Sequence, residues 1–167
     1  MDYGTAGQVL RAGEWNGAPV AQLVLDYEGR FLRRKRLVTQ EGGSVLVDLA
    51  QTVSLEPGDA LAAEGGLIEV AAAAEPVLRI KGDLVRLAWH IGNRHTPCEV
   101  AGDHIVIRQD HVLADMLVQL GAQVEAAEAP FRPEGGAYGH GRTHGHSHGP
   151  GDHAHGHNHG HDHGDKH

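Results

Sequence analysis

The sequence has few cysteines and few aromatic residues. Cys98 is the only cysteine in 167 residues, which excludes an internal disulfide and any zinc or iron–sulfur site that needs several thiolates from one chain. Aromatic residues make up 4% of the chain, although 40% of it is apolar. The core must therefore consist mainly of Val, Leu, Ile and Ala, and any metal site must rely on histidine and carboxylate ligands.

Long apolar runs and an excess of positive charge are missing as well. No stretch approaches the roughly 18 apolar residues needed to span a bilayer, and the N-terminal segment MDYGTAGQVLRAGEW lacks the charged-then-apolar order of a signal peptide. We therefore expect a cytoplasmic protein without membrane contact. The formal charge is -8 with neutral histidines, which argues against nucleic acid as a partner.

The most distinctive feature that is present is a histidine-rich end. From His140 to His167, eleven of 28 residues are His, interleaved mainly with Gly and Asp. Neutral imidazole is the commonest side-chain ligand of late first-row cations. The pattern is irregular, whereas a purification tag is usually an unbroken run, so a native metal-binding tail is favoured over an artefact or an inert polar tail.

Such a tail predicts metal binding but not the identity of the metal. A flexible imidazole-rich segment binds nickel, zinc and copper alike. It does so only while the imidazoles are neutral, so its capacity should fade below about pH 6.5. The predicted ligands in the tail are His144, His146, His148, His153, His155, His157, His159, His161 and His163.

The first part of the chain, residues 1–74, is predicted to be a small, mostly antiparallel β-domain. The segments VAQLVLDYEG, RFLRRKRLV and SVLVDLA are rich in β-branched residues and are separated by Gly-containing turns. The second of these segments contains the basic run RRKR at 33–36. We interpret this run as a solvated edge or face of a strand. A docking patch for another protein is the alternative.

Residues 75–133 are predicted to form a ferredoxin-like domain with the order β-α-β-β-α-β. Asp83 and Asp110 each precede a segment whose apolar residues recur at helical spacing. The strands around them are VLRIKG, a hairpin at 98–108, and AQVEAAEAPF. Two helices would then cover one face of a four-stranded antiparallel sheet. The fold class is therefore α+β, and residues 134–167 follow as a tail expected to be disordered without metal.

Four histidines lie outside the tail, namely His90, His95, His104 and His111. His90 and His95 are five residues apart, a spacing that does not place two ligands on one helical face, so structural or interface roles are expected for both. His104 follows a hairpin turn and is expected to point to solvent. His111 opens the second helix, where the positive end of the helix dipole works against a bound cation. Two copies could still share one ion if a two-fold axis brought their His111 side chains together.

The second half of the chain resembles a known family. The segment HIGNRH at 90–95, the helix DHVLADML at 110–117 and the exit PFRPEGGAYG at 130–139 are together specific to the urease accessory metallochaperones, UreE. The segment LEPGDALAAEGGLIEVAAAAE at 55–75 is similar to the end of that family's N-terminal β-domain. Residues 9–38 match the family only loosely.

This resemblance implies a dimeric nickel carrier, not itself an enzyme, that delivers Ni2+ for assembly of the urease active site. It implies a GTPase accessory protein and the urease apoprotein complex as partners, and a protein-contact role for the first domain. The family's principal site uses the histidine of the DHVL motif, here His111, with the tail adding ligands. Zinc or copper would compete with nickel, and a dimer of dimers held by metal is left open. Some members carry further histidines near the last strand, where this chain offers only Glu125 and Glu128, so we expect no second ordered site there.

A generic metal buffer is the main alternative. In that case the tail stores nickel, zinc or copper, and no tight site survives its removal, whereas a carrier retains one ion per dimer. A peptide-binding module without metal delivery is supported only by the N-terminal β-domain. An enzyme is disfavoured because GxSxG, HExxH and the phosphate loop GxxxxGK[ST] are all absent from the sequence. The missing phosphate loop also argues against the nickel-inserting GTPases, which share His-rich segments.

Overall fold

A computed structural model describes residues 1–135 as two β-sheets and two helices. The strands of the first sheet are β1 (Asp2–Leu10), β2 (Ala21–Leu25), β3 (Phe31–Val38), β4 (Ser44–Ser54), β5 (Ala60–Ala63) and β6 (Gly66–Ala72). The elements of the second are β7 (Ala74–Lys81), α1 (Leu84–Asn93), β8 (Glu99–Val100), β9 (Ile105–Arg108), α2 (His111–Gln119) and β10 (Gln123–Pro130). The predicted α+β class is confirmed. Almost all of the tail that was predicted to be disordered, residues 136–167, lies outside the described part of the chain.

The first sheet has the strand order β2-β6-β5-β1-β4-β3 and is mixed. β1 pairs with β4, and β2 with β6, in parallel. The pairs β1–β5, β3–β4 and β5–β6 are antiparallel. The predicted strand-rich character of this part is confirmed, but the two parallel pairs require crossovers that a chain of simple hairpins would not make.

The first strand, β1, is absent from the sequence-based prediction, and its irregular pattern explains why. Its buried residues Tyr3 and Ala6 are three positions apart instead of two, because the pairing with β4 shifts register between Asp2 and Thr5. Gly4 lies within that shift at a φ of 74°, a left-handed conformation that favours glycine. The period-two alternation that marks a half-buried strand is therefore lost.

The basic run at 33–36 lies on β3, which is the last strand of the first sheet. All four of its side chains are exposed. Arg34 lies 3.8 Å from Asp48 and Arg36 lies 3.6 Å from Asp2, and such solvent-exposed pairs contribute little to stability. The run lies on an exposed strand edge, as interpreted, and charge on this edge discourages pairing with further strands. The alternative of a docking patch stays a prediction.

The second sheet has the order β10-β7-β9-β8 and is antiparallel throughout. Together with α1 and α2 it gives the predicted order β-α-β-β-α-β. Both helices pack on one face of the sheet, and their buried residues form one cluster with those of the strands. The cluster consists of Leu78, Ile80, Leu87, Ile91, Ile105, Ile107, Leu113 and Leu117. No helix within residues 1–135 is long and apolar enough to cross a bilayer.

Both predicted N-caps are present. A carboxylate oxygen of Asp83 accepts a hydrogen bond from the Arg86 N–H at 3.3 Å, and one of Asp110 accepts from the Leu113 N–H at 3.0 Å. Each bond satisfies an amide that the first turn of a helix leaves without a partner. The caps fix where each helix begins, and α2 therefore begins at His111.

Helix α1 ends in a left-handed residue. His95 has a φ of 55° and is the only non-glycine residue within 1–135 with a positive φ. Its N–H donates to the Gly92 carbonyl at 2.9 Å, and the N–H of Thr96 donates to the Ile91 carbonyl at 3.4 Å. These two bonds form a Schellman motif, in which the left-handed position is usually glycine.

We expect His95→Gly to raise the free energy of unfolding by about 0.5–1 kcal/mol, because glycine adopts this backbone conformation without steric cost. His95→Val is the matched control and should lower stability, since a β-branched residue suits this conformation least. Urea denaturation of the three proteins measures the difference. A loss of stability in the glycine variant would show that contacts of the His95 side chain outweigh the backbone strain.

The two sheets meet around a small apolar cluster. Tyr27 from the loop after β2 packs against Phe131, which follows β10, with ring centroids 5.3 Å apart and an edge-on arrangement. Val77 and Val106 from the second sheet complete the buried cluster. Because residues from both sheets share this core, the end of β10 is tied to the first sheet.

Candidate metal site

The predicted metal ligand His111 is the first residue of α2, and its side chain is exposed. The Asp110 cap and the buried residues Leu113 and Leu117 hold the helix in place. His111 therefore projects from a rigid element, although the ring itself is open to solvent. This combination suits a ligand that must both hold and release an ion.

His111 lines an open pocket of about 890 Å³. One wall consists of Thr96 and Pro97 from the loop after α1, and another of Arg108 and Gln109 at the end of β9. This lining contains one histidine. The pocket is wide enough to admit further ligands from outside these residues.

A single copy of residues 1–135 does not complete a metal site. Nowhere in that range do three or more His, Cys, Asp or Glu side chains come together in a way that could hold an ion. The start of α2 also carries the positive end of the helix dipole, which disfavours an isolated cation. Any ion at His111 therefore needs ligands from a second copy or from the chain beyond residue 135.

The other histidines of the folded part are not among the residues that line this pocket, although His95 directly precedes Thr96 in the lining. His90 lies in the last turn of α1 and contacts Trp89 edge-on, with ring centroids 5.0 Å apart. His104 is partly exposed, with 26% of its side chain accessible, and its Nδ1 lies 2.6 Å from an oxygen of Asp103, which is itself 76% exposed. That hydrogen bond and the imidazole charge lower the pKa of Asp103 below its usual value.

The carboxylates of the last strand do not form a second ligand group. Glu125 and Glu128 are both exposed on β10, and three positions along a strand place side chains on opposite faces. The absence of a second ordered site stays a prediction. The predicted tail ligands, His144 through His163, lie outside the residues that the structure describes.

Large apolar side chains are exposed on both helices that cover the second sheet. Val85 and Trp89 are 85% and 64% exposed on α1, and Val112, next to His111, is 60% exposed. Val85 and Trp89 are four residues apart and therefore share one helix face. Their spacing is visible in the sequence, but the sequence-based prediction did not use it. We refer to Val85, Trp89 and Val112 as the apolar surface.

Comparison with known proteins places the chain among the accessory proteins of urease. The family model described as UreE urease accessory protein, C-terminal domain, matches residues 71–164, and that of the N-terminal domain matches residues 6–73. The chain belongs to the UreE urease accessory protein family. The resemblance inferred from the sequence motifs is confirmed.

Individual relatives agree with this assignment. The urease accessory protein UreE of Rhodobacter capsulatus is 58% identical over 139 residues, covering 83% of this chain and 88% of that protein. UreE of Paracoccus denitrificans is 62% identical over 124 residues, covering 74% of this chain and 80% of that protein. UreE of Cereibacter sphaeroides is 55% identical over 139 residues, covering 83% and 76% respectively.

Proposed function

We propose that this protein is a nickel metallochaperone that delivers Ni2+ for assembly of the urease active site. Membership of the UreE family supports the role in urease maturation. The main support for a metal site is the position of His111. Its imidazole is exposed at the start of a capped helix and lines an open pocket. Imidazole suits nickel, and an open position permits ligand exchange.

The ion would be shared between two copies of the chain. One His111 per copy is too few ligands for a tight site, and a two-fold axis near the start of α2 would supply two. The apolar surface supports such contact, because Val85, Trp89 and Val112 expose large side chains beside the same helical layer. A homodimer buries these side chains and completes the site in one step.

The remaining coordination positions would be filled by tail histidines and water. Nickel accepts roughly four to six nitrogen and oxygen ligands. If ligands are replaced one at a time, the ion can pass from His111 and the tail to the next protein without ever being free. Zn2+ and Cu2+ would compete for the same imidazoles. Because the imidazoles must be neutral, loading should weaken as the solution is acidified.

We assign a different role to each part of the chain. Residues 1–74 contact partner proteins, residues 75–133 dimerise and hold the principal ion, and residues 134–167 add ligands and capacity. The partners are the GTPase urease accessory protein and the urease apoprotein complex. The protein carries the ion and does not catalyse a reaction. Association of two dimers around a further ion is compatible with this arrangement.

Storage is the alternative function, and one observation favours it. Eleven of the fifteen histidines lie between 140 and 167, so most of the metal capacity belongs to the tail. A buffer needs no ordered site on the folded part and no partner. The two functions therefore differ in whether bound nickel reaches urease.

Activation of urease in vitro tests the proposal. Apo-urease with its accessory GTPase is mixed with the nickel-loaded protein in the presence of a chelator that removes free nickel. The control is a peptide of residues 140–167 loaded with the same amount of nickel. We expect the full chain to produce active urease and the peptide to produce little. Equal activation by both would favour storage over delivery.

A further inference from the structure

The basic run at 33–36 concentrates positive charge on an otherwise acidic protein. The formal charge of the chain is -8, yet four of its 14 Lys and Arg residues are consecutive in this run. All four side chains are exposed, and the run lies on β3, the last strand of the first sheet. A patch whose charge is opposite to that of the whole protein attracts and orients an oppositely charged partner. The run therefore favours the approach of an acidic partner from the side of β3.

Little of this positive charge is neutralised within the described part of the chain. Arg34 and Arg36 lie 3.8 Å and 3.6 Å from the nearest carboxylate oxygens, which is longer than a charge-assisted hydrogen bond. Among residues 1–135, Arg33 and Lys35 form no ion pair with a carboxylate. A partner can therefore bind these two charges without breaking an existing pair.

Positive charge projects from both faces of the sheet at this edge. Directly opposite residues of paired strands lie on one face, and Lys35 is opposite Val47 of β4. Val47 is completely buried in the core, so Lys35 lies on the core-facing side, where it is exposed because the sheet ends at β3. Arg34 and Arg36 flank it and point to the other face. A segment beside β3 would therefore meet positive charge on both of its faces.

The run carries more charge than protection of the strand edge requires. Charged side chains on an edge strand block pairing with further strands, and an inward-pointing lysine such as Lys35 is one such device. The three arginines beside it add mutual repulsion, which is destabilising. An acidic segment has the opposite effect, because each carboxylate placed opposite a basic side chain stabilises the pairing. The edge therefore excludes basic strands and selects acidic ones.

The same edge offers apolar contacts and backbone hydrogen-bonding groups. Phe31 and Val38, at the two ends of β3, are 42% and 70% exposed. No other strand within residues 1–135 pairs with β3 on the side away from β4. The outward backbone groups of residues 34–38 therefore face no neighbouring strand. Main-chain hydrogen bonds together with side-chain contacts are what a protein uses to bind a peptide by strand addition.

We propose that the edge of β3 is a docking site for an extended acidic segment of a partner protein. The segment adds as a strand beside residues 34–38, its carboxylates pair with the basic run, and its apolar residues cover the exposed apolar side chains at either end. This inference deepens the proposed function, because it rests on the partner-contact role of residues 1–74. None of residues 31–38 lines the His111 pocket, so docking requires no bound nickel.

A labelled peptide tests the docking site in the full chain. The probe is a fluorescent peptide as long as β3, which has eight residues, with valines at both ends and glutamates between them. Anisotropy titration measures its affinity, which should fall about fivefold for Arg33→Gln combined with Lys35→Gln. The matched control, Arg79→Gln combined with Lys81→Gln, removes two exposed charges from β7 and should bind as the unaltered chain does. Equal melting temperatures would show that the variants fold alike.

Two modified peptides separate strand addition from general attraction between charges. Replacing the glutamates by glutamines should abolish binding. N-methylation of alternate amides keeps every carboxylate but removes main-chain donors, and should weaken binding about tenfold. Equal binding of the N-methylated peptide, or an equal loss in the β7 control, overturns the docking site. Binding of the chain to phosphatidylserine vesicles through Arg33 and Lys35, without binding of the glutamate peptide, overturns it as well, because the run would then recognise a membrane.

Nickel delivery distinguishes this inference from the function on which it rests. In the activation of urease described above, the variant with Arg33→Gln and Lys35→Gln should act more slowly than the β7 control when protein is limiting, and equally at saturation, because only docking is weakened. Peptide binding through β3 with unchanged activation supports the docking site but overturns its role in nickel delivery. Failure of the unaltered chain to deliver nickel would overturn the proposed function and leave the peptide result unaffected.

Discussion

Replacing His111 by Ala is expected to abolish the tight nickel site in a chain that ends at Gly139. Such a chain retains both sheets and both helices but lacks the tail histidines, so His111 is the only histidine lining the open pocket. In a symmetric dimer the substitution removes two ligands from one ion. We therefore expect binding of about half an equivalent per chain before the substitution and an affinity on the order of 100-fold weaker after it. Calorimetric titration with nickel measures both quantities.

His104→Ala is the matched control for this experiment. It removes an imidazole from the same sheet-and-helix unit, but His104 is bound to Asp103 and is not among the residues that line the pocket. We expect its titration to match that of the unaltered chain. Tight binding that survives His111→Ala would place the site elsewhere. If the chain ending at Gly139 binds no nickel tightly even with His111, the tail accounts for all of the binding, and storage becomes the better explanation.

The second sheet and its helices could be predicted from the sequence because their signals are local. Asp83 and Asp110 mark helix starts within one turn, and Gly121, with a φ of 86°, marks the end of α2. The order of the first sheet has no comparable signal. β1 pairs with β4 and β5, and the paired residues are separated by about 40 to 60 positions in the sequence. Such pairing depends on the packing of the whole sheet rather than on any short segment.

The candidate site was only partly predictable for the same reason. The motif resemblance identified His111, but the pocket around it is formed by residues of β7, the loop after α1, the end of β9 and the start of α2, which meet only in the folded chain. The hydrogen bond between His104 and Asp103 is also absent from the sequence-based prediction, because a position next to a hairpin turn indicates exposure but not a side-chain partner. The hydrogen bond from Arg30 to the Phe131 carbonyl joins residues that are 101 positions apart, and no periodic pattern predicts that contact.

Replacing Trp89 by Glu is expected to convert the proposed homodimer into a monomer. Trp89 is 64% exposed and lies on the same helix face as Val85, so an interface there would bury a large aromatic side chain, and such residues dominate interface energetics. Glutamate removes that contribution and places an unpaired charge in the interface. We expect the dimer dissociation constant to rise roughly 1000-fold, equivalent to about 4 kcal/mol. Analytical ultracentrifugation over a concentration series measures it.

Val38→Glu is the control for the Trp89 variant, because Val38 is 70% exposed but lies on the edge strand of the first sheet. It adds the same charge and should leave the dimer intact. A shared ion leads to a further prediction. A ligand that binds only the dimer shifts the monomer–dimer equilibrium toward the dimer. Nickel should therefore partly restore association of the Trp89→Glu protein, and should not do so when His111→Ala is added. A Trp89→Glu protein that remains dimeric at all concentrations would show that the subunits meet elsewhere. The apolar surface would then no longer support an ion shared between two His111 side chains.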